Sequence, residues 1–125
     1  MNVHQLSEEF IRIATQEIKD ELAAINKILD PCNYDSDIIS NSTLIKKHIH
    51  KIRGLAPMMG QKGIGEIALL DDDILKHILE GSKVEDVYDI FIESVLFMTK
   101  AINGSQLNHT QLKQKIKTKY SNFLD

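Results

Sequence analysis

LIKKHIHKIRGLAPMMG, residues 44–60, is the stretch on which the fold turns. On a helical wheel at about 100° per residue, Ile49, Ile52 and Ala56 fall within about 40° of Ile45, with Met59 close by. That stripe predicts a helix with one buried side. His50 lies about 140° from Ile45, with Lys46, Arg53, Gly54 and Pro57 near it on the outer side. His48 lies only about 60° from the centre of the buried stripe and reads as a core-flank histidine donating to a backbone carbonyl or to water. Residues two apart point to separate faces of a helix, so His48 and His50 cannot share one metal. No Glu-x-x-His or His-x-x-x-His pair supplies a metal site elsewhere.

The segments on either side repeat the pattern. From about Leu6 to Leu29, the residues Phe10, Ala14, Ile18, Leu22, Ile25 and Leu29 recur at three- and four-residue steps. DPCNYDSD, residues 30–37, breaks this helix with turn-forming residues. The second segment starts at Asp37 or Ser42 and runs through the opening stretch. A third spans about Gly63 to Glu80, with Gly81 as its stop. SKVE, residues 82–85, has the form of a capping box and places the start of a fourth helix at Ser82. Its apolar stripe runs through Val84, Val87, Tyr88, Phe91, Val95, Met98 and Ile102. A last helix over about 108–123 carries Leu112, Ile116, Tyr120 and Phe123 on one side and Lys113, Lys115, Lys117 and Lys119 on the other.

No strand is predicted. Amphipathic helices joined by short connections give an all-α chain, an antiparallel up-down four-helix bundle over about 5–104 with an additional C-terminal helix. The 125 residues suit one domain, 1–125, and 42% hydrophobic with 26% charged residues is an ordinary globular balance. A net charge of -3 speaks against nucleic acid. No stretch approaches the roughly 18 apolar residues of a membrane span. MNVHQLSEEF at the N-terminus lacks the apolar core of a signal peptide, and the single cysteine, Cys32, has no partner for a disulfide. A cytoplasmic setting is the expectation.

Lys46 and Arg53, one turn to either side of His50, put positive charge beside an exposed imidazole and favour an anion on or next to it. Gly54 stacks beside His50 and removes a shielding side chain, although glycine costs a helix about 0.5–1 kcal/mol relative to alanine. Pro57 cannot donate to the carbonyl of Arg53 and clashes with it, so a kink or helix end is expected between Gly54 and Gly60. His4, His77 and His109 read as structural or surface residues.

With His50, Ile52, Arg53, Gly54, Ala56 and Gly60 in place, the stretch resembles the histidine-containing phosphotransfer (HPt) domain of two-component phosphorelays. That pattern is His, any residue, an apolar residue, Lys or Arg, Gly, two small residues, and Gly ten after the His. Leu55 departs from it where a small residue is usual, and Pro57 where the helix normally continues. The resemblance implies that His50 accepts a phosphoryl group from a receiver-domain aspartate and passes it to another receiver. Lys46 and Arg53 would stabilise the phosphoryl oxygens, with Lys47 assisting, and Leu55 and Met58 would join an apolar docking surface. A residue on the following helix would bond the other ring nitrogen. Counting along gives Asp72, with Asp71 the alternative in LLDDDIL, although Asp71 falls near the apolar stripe of Ile64, Ile67, Ile74 and Ile78. The partners implied are response-regulator receiver domains and a hybrid histidine kinase, met by a monomer. No cofactor is implied for this chain, since Mg²⁺ is expected in the partner's receiver domain. The resemblance implies a phosphohistidine carrier, and with no ATP-binding loop in the sequence no kinase activity is expected of it. Two other readings stay open: an HPt-like adaptor or inhibitor that binds a partner without phosphorylation, and a metal- or ligand-binding bundle.

Overall fold

The computed structural model describes residues 3–124, with side chains from residue 7 onward. Among them the chain forms six helices and no strand: α1 (Val3–Leu29), α2 (Asp35–Ser40), α3 (Ser42–Met58), α4 (Lys62–Leu79), α5 (Val87–Ile102) and α6 (Thr110–Lys119). The stripe on α1 is buried as the spacing predicts, through Ala14, Ile18, Leu22, Ile25 and Leu29. Phe10, at the head of that stripe, is exposed. Ile45, Ile49, Ile52 and Ala56 of α3 and Ile64, Ile67, Ile74 and Ile78 of α4 join the same core, as do Val87, Phe91, Val95 and Met98 of α5. α3 packs on α1 and α4, and α5 also packs on α1 and α4, so these four helices close a ring around the core. No helix among the described residues is long and apolar enough to cross a membrane.

The turn from α3 to α4 sets the geometry that matters most. Gly60 has φ +76°, a left-handed conformation that glycine adopts without strain. Its N–H donates to Pro57 O, and the Gln61 N–H donates to Ala56 O. This paired closure satisfies the last carbonyls of a helix, so α3 ends inside the interval that Pro57 marks. The proline ring also has a packing role. A Cβ on Gly65 would lie 3.2 Å from Pro57 Cγ, so α4 approaches the end of α3 more closely than a larger residue would permit. Gly81 stops α4 as expected, with φ +92°.

Of the two expected starts of the second segment, Ser42 is the one observed, as the start of α3. The residues before it form the separate short helix α2, and the two meet at Asn41, whose side chain bonds back to Asp37 O. One expectation needs correction. The capping box at Ser82 does not form. Ser82 N–H instead donates to His77 O to close α4, and α5 starts five residues later. Its cap comes from α2, where the Asp35 carboxylate accepts from the Asp86 and Tyr88 backbone N–H groups, each at 2.9 Å. A carboxylate on free N–H groups at a helix start also suits the helix dipole. The long-range cap displaces the local one.

α6 packs on α4 with Leu112 and Ile116 buried. The buried Tyr120 follows it, donating its hydroxyl to Glu85 O at 2.6 Å. Asp35→Ala should lower unfolding free energy by about 1–2 kcal/mol, measured by urea denaturation. An unchanged midpoint would show that α5 does not depend on this cap.

Candidate functional site

His50 stands on the outer side of α3 with its side chain 67% exposed. Asp72 faces it from α4, 1% exposed. The His50 Nδ1 to Asp72 Oδ2 distance is 2.9 Å, and with an ionised carboxylate as acceptor the ring carries its proton on Nδ1. Nε2 is left with no protein partner among the described residues and belongs to a ring open to solvent. Two cations from the same side of α3 complete the group. Lys46 Nζ donates to Asp72 Oδ1 at 2.6 Å, and Arg53 Nη1 donates to Oδ2 at 2.8 Å. Residues 46, 50 and 53 are spaced to share one side of a helix, so a single carboxylate collects all three.

This arrangement assigns Lys46 and Arg53 differently from the sequence reading, which aimed both at phosphoryl oxygens. Here both hold Asp72. Burial pushes the Asp72 carboxyl up, but the hydrogen bonds from Lys46, His50 and Arg53 outweigh it and hold it below the ordinary carboxylate value. Lys47 is exposed and takes no part in the cluster.

Of the two candidate aspartates, Asp72 meets His50 and Asp71 does not. Asp71 is fully buried, accepts a hydrogen bond from Ser94 Oγ at 3.1 Å, and leaves Oδ2 without a partner. Burial drives its carboxyl well above the ordinary value, the Ser94 bond opposes that, and the neighbouring Asp72 charge adds to it. Adjacent helical residues are about 100° apart, so turning Asp72 towards α3 turns Asp71 into the core.

Gly54 has open space where a side chain would be, since a Cβ there meets nothing within 4 Å. The fold itself makes no demand for glycine at that position. Leu55 is half-buried against the core, whereas Met58 is exposed. His48 lies on the other flank of α3, its side chain 20% exposed, with Nδ1 2.5 Å from Glu21 Oε2. Its partner is a carboxylate of α1 rather than the backbone carbonyl or water expected. Lys51 Nζ sits 3.3 Å from the other Glu21 oxygen. His109 bonds Glu66, and His77 stacks on Phe123, so both have structural partners. The His4 side chain lies outside the described residues. Cys32 is buried, and burial raises its thiol pKa. Among the described residues no group of three or more His, Cys, Asp or Glu side chains is gathered as a metal ion would require.

The two aspartates should act oppositely on stability. Asp72 has a lowered folded-state pKa, so its contribution is present above the unfolded carboxylate range and is lost as pH falls through the folded value. Asp71 has a raised one, so the stability tied to its bound proton is full below the unfolded value and declines as pH rises towards the folded value. Asp72→Asn should cost roughly 1.5–3 kcal/mol at neutral pH. Asp71→Asn should remove the decline expected of the wild type as pH rises above the ordinary carboxylate range. Urea midpoints across that range would check both, and a parallel pH dependence in wild type and Asp71→Asn would contradict the second. Comparison with protein-family models, with curated proteins and with solved structures finds no match to this chain.

Proposed function

We propose that this protein is a phosphohistidine carrier of the HPt type, taking a phosphoryl group from a receiver-domain aspartate onto His50 and passing it to a second receiver. One observation carries the reading: an exposed imidazole whose Nδ1 is held by a buried carboxylate while Nε2 faces solvent. The ring of α1, α3, α4 and α5 supports the four-helix bundle that such a carrier would use, and α6 is an addition to it. In this reading the protein works as a cytoplasmic monomer that meets its receiver domains, and a hybrid histidine kinase, transiently.

Phosphoryl transfer is mainly a matter of positioning and charge. The Nε2 lone pair attacks phosphorus in line, the N–P bond forms, and the P–O bond to the donor aspartate breaks with its electrons left on that carboxylate. The metal required for this step comes with the receiver. The Nδ1 proton stays in its hydrogen bond to Asp72, so the positive charge that develops on the ring meets a carboxylate already in place. Lys46 and Arg53 keep that carboxylate ionised. Arg53 spends one nitrogen on Asp72, and its other N–H groups are available to phosphoryl oxygens. The open space over Gly54 lets the donor's backbone come down beside the ring.

Incubation with a phosphorylated receiver and Mg²⁺ should yield acid-labile, base-stable phosphate on the wild type and none on His50→Gln. Asp72→Asn should retain the label and accept it about ten- to a hundredfold more slowly, by analogy with losing the carboxylate that orients a metal-bound imidazole. Absence of label from a panel of receivers would favour the adaptor that binds without phosphorylation. Label persisting in His50→Gln would place it on His48 or another histidine.

Gly54 gives a separate test. Gly54→Ala should leave the fold intact or stabilise it by about 0.5–1 kcal/mol, because no atom opposes the added methyl, while slowing transfer through a higher KM for the receiver. Unchanged transfer would remove the case for close approach at this point.

A further inference from the structure

Away from His50, a cleft of about 470 Å³ opens between α4 and α6, within the size range of small-molecule sites. Lys76 reaches it from α4, and Lys113 and Lys117 reach it from α6, one helical turn apart on a shared face. The lysines of α6 are otherwise well paired. Lys115 bonds Glu93, Lys119 bonds Asp86, and Lys113 lies 3.2 Å from Glu66. Lys117 has no carboxylate partner among the described residues, and neither does Lys76 across the cleft.

The two carboxylates that line the cleft are already engaged. Glu66 holds His109 and Lys113, while Asp73 lies 3.9 Å from Arg53. Three lysines against two carboxylates give the described lining a formal surplus of one positive charge, within a chain whose net charge is -3. Part of the cleft's wall is apolar and aromatic. Phe123 lies against the His77 ring at a centroid distance of 4.4 Å, and Leu69, exposed on α4, faces the same space.

Convergent cations around an apolar, ring-bearing wall match a ligand with phosphate at one end and a flat organic body at the other. We infer that the cleft between α4 and α6 binds a small phosphorylated organic anion of nucleotide type, with its phosphate oxygens on Lys76, Lys113 and Lys117 and its ring system against Phe123 and Leu69. A concave pocket between two helices favours a small molecule over a macromolecular surface. The site is independent of His50 phosphorylation.

The test is a titration of the ¹⁵N-labelled chain with ADP, pyrophosphate and adenosine in separate arms, followed by NMR. ADP should give saturable shifts confined to residues around the cleft, and it should bind more tightly than pyrophosphate or adenosine. The double variant Lys76→Gln/Lys117→Gln should weaken ADP binding about tenfold. Neither side chain has a carboxylate partner among the described residues, so the variant should keep the wild-type circular dichroism. Lys115→Gln, on α6 but outside the cleft, should leave ADP binding unchanged. Three outcomes would overturn the inference: no saturable ADP shift, equal weakening by Lys115→Gln, or pyrophosphate binding as tightly as ADP.

Discussion

One buried carboxylate organises this protein. Asp72 is a charge taken out of water between two helices, which is costly unless its oxygens are fully bonded. Three donors from one side of α3 bond it: Lys46 on one oxygen, His50 and Arg53 on the other. The same bonds fix how far α3 and α4 can slide or rotate against each other. A shift of one residue along either helix would swing Asp72 about 100° from the cluster and strand a charge in the interior. The interaction that orients the imidazole is thus also the one that fixes the register of the helix pair.

That constraint spreads to its neighbours. With Asp72 facing α3, Asp71 must enter the apolar stripe of α4, where Ser94 supplies its single hydrogen bond. A hydrophobe there would suit the core better, and nothing in the structure gives Asp71 a compensating role. At the near end of the helix pair the tight turn at Gly60 and the contact of Pro57 with Gly65 bring the two helices together. From that point the chain runs back on itself, meeting Pro57 with Gly65 first and His50 with Asp72 two turns further on. Proline and glycine in HKIRGLAPMMG have separate reasons. Pro57, Gly60 and Gly65 serve the helix junction, whereas Gly54 serves nothing inside the molecule.

Features set by residues close in sequence were legible before the structure. The three- and four-residue spacing of apolar side chains marked the long helices, and the wheel separated His50 from His48 because side-chain direction in a helix follows residue number. The same rule put Asp71 near the apolar stripe. Asp72 as the partner of His50 came from the resemblance, with Asp71 left as the alternative until the packing of α3 on α4 brought Asp72 to the ring. Features that depend on contacts distant in sequence were hidden. Ser82 and Glu85 offer a good local cap, yet Asp35, some fifty residues away in sequence, caps α5 instead. Lys46 and Arg53 were visible as charges near His50, but only the packing of α4 shows that they hold a carboxylate. The lysines of α6 looked like a solvated face, and three of the four proved to have carboxylate partners on other elements.

The pair of histidines in HIH isolates what makes His50 distinctive. Each ring places Nδ1 on a carboxylate, Asp72 for His50 and Glu21 for His48, and each carboxylate has a lysine on its other oxygen. The imidazole–carboxylate pair therefore does not distinguish them. Access distinguishes them, because one side chain is 67% exposed and the other 20%. One turn beyond His50, Gly54 leaves open space on the same outer side of the helix, where a Cβ would meet nothing within 4 Å. A reactive histidine needs both conditions at once: a fixed tautomer and an unobstructed Nε2. His50 combines a carboxylate-bonded Nδ1 with an exposed side chain, whereas His48 has the carboxylate bond without the exposure.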